Sequence, residues 1–375
     1  MSPTPDMHPG RAQAGGCEAG FVVEGTPSRD ASPEAVRGVL AERYDLDVTS
    51  LQTVAAGTDT VNRIARLTDG QRVFIKQYRS AADPERAWAA WEMSEYCARQ
   101  GLPVPRVVLN SDQVLVTIAA GAAWVVTEMV DGSIAEHAMT PQTAEHIGTV
   151  LGRMHRILGQ YPPPARMRHT RWRTGDVDTM LRKIDRVRQR ATAQLEPRLE
   201  QLREDLDRRR QDVILHVPRL RQTLPQDLFV QAAHADFTRA NLLLADDQVT
   251  AVIDFQAEQA VLAWELGRIA FDPRTVAHGL QWVQCALRMI EAYRSENPRL
   301  PDADVRACAR VALLYMLMSL YGSTTREYQL PAPVAEDLCR YWDDRQVTIR
   351  RMLAQLPEIE TALRATGRSG QASRP

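Results

Sequence analysis

Apolar and polar residues alternate with a period of two over residues 51 to 78, switch to a helical spacing over 83 to 100, and alternate again over 106 to 115 and 122 to 130. These patterns predict three short strands, a helix and two further strands, with Asn110-Ser111-Asp112 as a turn. A helix opens the ordered part of the chain at Ser32-Pro33, where Ser is a good cap and Pro suits the first helical position, and it runs to Tyr44. From Pro141 onward helical spacing dominates, apart from a loop-and-hairpin core at 231 to 256. Two short apolar runs, Leu242 to Leu244 and Val249 to Ile253, flank the turn Ala245-Asp246-Asp247-Gln248 there.

Residues 32 to 130 therefore read as a small β-rich lobe and 131 to 365 as a larger, mostly helical one, an α+β architecture in two lobes. Residues 1 to 31 and 366 to 375 are polar and rich in small residues, and are expected to be disordered tails. No internal repeat is found. No apolar run reaches 18 residues, and the first residues lack a basic segment followed by an apolar core, so neither a membrane span nor a secretion signal is expected, and the cytoplasm is the expected location. The five cysteines are scattered without a CxxC pair and read as reduced packing residues, with neither a disulfide framework nor a zinc site.

Candidate chemistry concentrates in His234-Ala235-Asp236-Phe237-Thr238-Arg239-Ala240-Asn241, followed across the hairpin by Asp254-Phe255. Phosphoryl transfer needs a carboxylate to orient an acceptor hydroxyl and take its proton, and hard oxygen ligands to hold Mg²⁺ on the nucleotide phosphates. Asp236 suits the first task, and Asn241 and Asp254 the second, because a tight hairpin brings them to one point. Upstream, Arg72 to Tyr78 alternates as a strand and ends with Lys76 in a chain whose basic residues are mostly Arg; a strand lysine of this kind grips nucleotide phosphates. The turn around Gly57 and Thr58, between two strand-like segments, can fold its amides over those phosphates. His234 is expected to brace the loop. Arg239 can neutralise the transferring group or lie on the surface.

The order of these parts resembles the aminoglycoside phosphotransferase and choline kinase family, a branch of the protein-kinase-like fold. Besides the catalytic loop, the resemblance rests on Gly101-Leu102-Pro103-Val104-Pro105, on Val125 to Gly132, on Leu151-Gly152-Arg153-Met154-His155 and on Trp264-Glu265-Leu266-Gly267-Arg268, and covers roughly residues 36 to 345. It implies ATP and Mg²⁺ as cofactors, Lys76 on the phosphates, and backbone atoms of Glu128, Met129 and Val130 on the adenine. It also implies a Glu on the helix at 87 to 100 that pairs with Lys76; Glu92 and Glu95 both qualify, and Glu92 is preferred. Glu265 either anchors the catalytic loop or pairs with Arg268 at i and i+3. Where relatives carry a His-Pro-Gly type insert, this chain has Thr238-Arg239-Ala240.

Residues 165 to 224 hold 16 Lys and Arg against 9 Asp and Glu, in a chain of net charge −1. One reading is a solvated helical pair, with Ile184, Val187, Ala191, Leu195, Leu199 and Leu202 on its apolar faces. The other is a basic rim that draws a neutral or acidic acceptor, such as Ser or Thr of a natural-product precursor peptide, in place of a polycation. Ser323-Thr324-Thr325 reads as a connecting turn or as part of an acceptor surface. An aminoglycoside- or macrolide-type kinase and a non-catalytic nucleotide-binding scaffold are the alternative functions, and a partner protein that delivers the substrate fits the same residues. Nucleic-acid binding is disfavoured because Trp172 is the lone aromatic residue among the insert's arginines.

Overall fold

The N-terminal region is built on one antiparallel sheet because its alternating segments can each bury one face and share their backbone hydrogen bonds. In the computed structural model, which describes residues 30–54, 60–78, 84–196, 198–325 and 332–369, helix α1 (Pro33–Tyr44) starts where the Ser32 hydroxyl accepts the Ala35 amide. Strands β1 (Val48–Val54), β2 (Thr60–Leu67) and β3 (Arg72–Tyr78) follow, then helix α2 (Pro84–Arg99), β4 (Val107–Val108), β5 (Thr117–Ala119) and β6 (Ala122–Glu128). The sheet order is β1-β2-β3-β6-β4, with β5 also pairing β6. Its core joins Val36 and Leu40 of α1 to Ile75, Trp124 and Val126.

The strand expected over 106 to 115 is interrupted early. Asn110 Oδ1 accepts the amides of Asp112 and Val114, so a side chain captures backbone donors that a longer ladder would have used. The chain resumes as β5, an element the sequence pattern did not resolve.

Beyond β6 come α3 (Pro141–Leu158), α4 (Arg171–Thr174), α5 (Val177–Ala193), α6 (Leu199–Gln222), β7 (Val230–Ala233), the hairpin β8 (Leu242–Ala245) and β9 (Gln248–Val252), and β10 (Glu258–Val261). The helices α7 (Leu262–Ala270), α8 (Pro273–His278), α9 (Trp282–Glu296), α10 (Asp302–Leu317) and α11 (Ala332–Ser369) complete it. Strands β7 and β10 pair antiparallel. They were not foreseen as strands, since four residues are too few to establish a period. Together they clamp the two ends of the loop that carries Asp236 and Asp254.

Two glycines fix how these layers meet. Gly132 has φ +147, and an added Cβ would lie 2.5 Å from Thr250 Oγ1, so only glycine lets the segment after β6 press onto the β8–β9 hairpin. Ser133 and Leu244 exchange both amide-to-carbonyl bonds at that point, each at 2.9 Å. On α3, a Cβ at Gly152 would meet Tyr293 O at 2.6 Å, which holds α3 against α9 at backbone contact. Gly152→Ala is expected to destabilise the fold by about 1–3 kcal/mol through overpacking, measured by urea unfolding; unchanged stability would mean that α9 yields freely.

Helices α5 and α6 pack on each other, with Ile184, Ala191 and Leu202 buried and Leu195 exposed at the turn between them. The basic insert is therefore a helical pair, and much of its charge is balanced within the fold. Arg188 pairs with Asp207 at 2.7 Å, Arg210 with Asp185 at 2.8 Å and Arg198 with Asp343 at 2.8 Å. Arg209 is fully buried, donating to Met316 O, Ser319 O and Gln346 Oε1, and burial lowers its pKa to about 9. Thr325 donates through its amide and hydroxyl to Glu196 Oε1, at 2.6 and 2.7 Å, so the Ser323-Thr324-Thr325 cluster is a buried joint with the insert.

Candidate active site

The loop after β7 turns sharply because Ala235 adopts φ +64, a left-handed conformation that costs a residue with a Cβ on the order of 1–2 kcal/mol. His234 holds that turn. Its Nδ1 accepts the Asp236 amide at 3.1 Å, so the ring proton is on Nε2, which donates to Ile253 O at 2.8 Å. The ring is flanked by Phe237 and Phe255. One buried imidazole thus ties the catalytic loop to the end of the hairpin that carries Asp254.

Asn241 is oriented by the same loop. Its Nδ2 donates to Asp236 O at 2.8 Å and to Asp236 Oδ2 at 3.1 Å, which leaves Oδ1, a hard acceptor, without a described partner. Asp254 has φ +64 at the end of β9, and its carboxylate is ion-paired with Lys76 from β3. The Ile253 amide donates to Asn241 O at 3.0 Å, so the catalytic loop, the end of the hairpin and β3 bring Asp236, Asn241, Asp254 and Lys76 together. Among the described residues no group of three or more His, Cys, Asp and Glu could hold a metal alone. Asn241 Oδ1 and the Asp254 carboxylate are hard oxygen donors of the kind Mg²⁺ takes, so these two residues fit it.

Glu265 is fully buried on α7 and anchors the loop from below. Its Oε1 accepts the Phe237 amide at 3.2 Å, and its Oε2 meets His155 Nε2 at 2.9 Å. The chain continues through Tyr293 Oη, 2.8 Å from His155 Nδ1, to Asn297 Nδ2 at 2.9 Å. Burial works to raise the Glu265 pKa, but the hydrogen bond and charge of His155 outweigh it and the pKa is lowered. Leu151 to His155 thus supplies both Gly152, which seats α9, and His155, which connects α9 to the catalytic loop.

The i,i+3 pairing of Glu265 with Arg268 does not form. Arg268 turns the other way, and its Nη1 donates to Asp236 Oδ1 at 2.6 Å. Burial would raise the Asp236 pKa; the adjacent Arg268 guanidinium, with help from Arg168, overrides it and the pKa is lowered. Asp236 is therefore an ionised, weakly basic carboxylate. That suits a group that positions a hydroxyl and takes its proton late.

Other expectations are revised by the geometry. Arg239 is buried, donates to His137 O at 2.7 Å and lies 3.6 Å from Asp272, so it is a brace within the C-terminal region and not a neutraliser of the transferring group. Glu92 is exposed on α2, and no described ion pair joins it to Lys76. Glu95 is committed to Arg99 and Arg106. The contact that does bring α2 to the site is Arg86 with Gln256, just after Asp254-Phe255. In the expected adenine segment, the Glu128 and Met129 amides already donate to Arg106 O and Arg72 O, which leaves the Val130 amide as the donor without a described partner. Gly57 and Thr58 lie outside the described residues.

Comparison with known proteins agrees with this geometry. Residues 50–284 match the model of the phosphotransferase enzyme family. A homoserine kinase of Zymomonas mobilis is 24% identical over 219 residues, 58% of this chain and 62% of that protein, so the chain matches about three-fifths of that relative's length. A homoserine kinase of Granulibacter bethesdensis is 25% identical over 240 residues, 63% of this chain and 69% of that protein. The solved aminoglycoside phosphotransferase of Alicyclobacillus acidocaldarius superposes with a TM-score of 0.56 at 19% identity, covering 90% of this chain and 99% of that one, a likeness of fold. No described helix is long and apolar enough to cross a membrane. The chain belongs to the phosphotransferase enzyme family, and its fold is the two-lobed, protein-kinase-like one.

Proposed function

We propose that this phosphotransferase moves the γ-phosphate of ATP, in the presence of Mg²⁺, to a hydroxyl of a small metabolite. The observation that carries this is the Lys76–Asp254 ion pair, joined to the Asn241–Asp236 pair by the Ile253 amide on Asn241 O. Asn241 and Asp254 would hold Mg²⁺, which when bound neutralises charge on the transferring phosphoryl group. Lys76, ion-paired with Asp254, would grip the nucleotide phosphates once nucleotide and cation are bound. Asp236, fixed by Arg268 and Asn241, aligns the acceptor oxygen and accepts its proton. Most of the rate gain comes from this positioning, since the transition state asks little covalent work of the protein.

A small acceptor is favoured over a peptide drawn by the insert, because Arg198 and Arg168 turn to carboxylates outside it, Asp343 and Glu258, and Arg209 is buried against carbonyls, which commits part of its surplus to the fold. The names of the two homoserine kinases point the same way. The test is mass-spectrometric detection of phosphorylated products from Mg-ATP and a panel of amino alcohols, hydroxy acids, aminoglycosides and Ser-containing peptides. Product that disappears on chelation is expected; tight ATP binding with no product and no hydrolysis would indicate a scaffold. Lys76→Met should lower kcat/KM for ATP about 10²-fold, the scale for losing one preorganised charge contact. Unchanged kinetics would remove Lys76 from the phosphate site.

A further inference from the structure

We infer that Arg168 and Arg268, both laid against Trp264 beside Asp236, form an acceptor subsite that binds a carboxylate. This deepens the phosphotransferase reading and rests on it. The guanidinium carbons lie 5.6 and 5.4 Å from the centre of the Trp264 ring, and Arg268 also lies 5.3 Å from that of Tyr315. Aromatic faces hold a guanidinium without consuming its donors.

The donors are what matter. Each guanidinium carries five N–H groups, and among the described residues only Arg268 Nη1 donates a side-chain hydrogen bond, to Asp236. Arg168 faces Glu258 at 3.5 Å as an ion pair without a described hydrogen bond, and Glu258 Oε2 is itself buried without one. Both arginines keep limited exposure, 22% and 16% of their side chains, so these donors are only partly hydrated. Pre-placed, poorly hydrated N–H groups next to the catalytic carboxylate are the arrangement that rewards an oxyanion, which Arg can take bidentately.

Charge selects among anions. Glu258, 3.5 Å from Arg168, and Asp236, bonded to Arg268, already place two carboxylates beside these guanidiniums. A monoanionic carboxylate adds one negative charge there, whereas a phosphate dianion adds two against the same pair of carboxylates. Arg345, the next cation behind Tyr315, is fully buried with its donors on Met316 O, Ser319 O and Tyr321 O. Arg168 and Arg268 are also fixed on separate elements, one on the segment that runs beside β10 and the other on α7, so the fold sets how an acceptor held there bears on Asp236. A polycationic acceptor meets repulsion at the same place.

The test compares matched acceptors: homoserine, 4-hydroxybutyrate and serine against their amides, with glycerol 3-phosphate as the dianion. For the wild-type protein with Mg-ATP, the accepted acid should show a KM at least tenfold below that of its amide, with kcat within about threefold. In Arg168→Gln the KM for the acid should rise at least tenfold while the KM values for the amide and for ATP hold; Arg168→Lys should recover part of the loss. Equal use of acid and amide, or preference for the phosphate ester, overturns the carboxylate subsite and leaves phosphoryl transfer standing. If no acceptor is phosphorylated, calorimetry with Mg-AMP-PNP decides. Acid binding that amides lack and that Arg168→Gln abolishes supports the subsite while the transfer reading fails, and absence of such binding overturns the subsite.

Discussion

Asp236→Asn is expected to lower the rate of phosphoryl transfer by about 10³-fold, within the range for losing a positioned general base, while Mg-ATP affinity changes less than about threefold. Asn keeps the size, its one oxygen can still accept from Arg268, and Asn241 Nδ2 keeps its bond to the backbone carbonyl of residue 236 at 2.8 Å, so the loop should persist. What it loses is the negative charge that attracts the acceptor's proton. The charge also balances Arg268, whose guanidinium donates to Asp236 Oδ1 at 2.6 Å. Paired measurements of single-turnover transfer and nucleotide affinity separate the two effects. A variant that transfers at the wild-type rate would remove Asp236 from the chemistry, and one that also loses ATP would assign it to nucleotide binding.

Glu265→Ala should produce the largest loss of stability, about 3–5 kcal/mol, because it leaves partners stranded in a site with no exposure. The Phe237 amide, one residue past Asp236, loses its acceptor, and His155 loses the carboxylate that fixes its ring between α7 and Tyr293. Catalysis should fall with stability even below the unfolding temperature, since the loop is then held from one side alone, by His234. Urea unfolding and kinetics on the same preparation check this. His155→Gln, which can still donate to Glu265, should cost less than Glu265→Ala; the opposite order would place the weight of the network on Tyr293.

Local spacing made the chemistry of the catalytic loop legible. Asp236, Asn241 and Asp254 lie within nineteen residues of one another and are joined by a hairpin that its turn residues announce, so the sequence alone brings them together. Asp246 and Asp247 both take left-handed φ values, 49° and 61°, as a two-residue turn of that kind requires. Lys76 was legible for a similar reason, at the end of an alternating strand. Its partner was not, because the contact with Asp254 bridges 178 positions and depends on how the two regions close.

The role of Arg268 was hidden by a sound local rule. Spacing of i and i+3 makes Glu265 and Arg268 neighbours on a helix, yet the packed fold gives each other partners, the Phe237 amide and His155 for one and Asp236 for the other. Charge counting in the insert is incomplete for a related reason. A sum over 165 to 224 records the arginines but not Asp343, Met316 O or Ser319 O, which come from elsewhere in the chain and absorb them. The arginine that matters for the acceptor, Arg168, stands at the edge of that segment and is distinguished by its place over Trp264.

The most direct test is a single turnover with protein in excess over [γ-³²P]ATP, Mg²⁺ and an accepted alcohol. Acid quenching then separates ATP, phosphorylated alcohol, inorganic phosphate and protein-bound phosphate. The geometry around Asp236 predicts that label passes from ATP to the alcohol in one step, with none on the protein at any time and none moving once Mg²⁺ is chelated. Label that accumulates on the protein before reaching the alcohol, or that moves without a divalent cation, would contradict it.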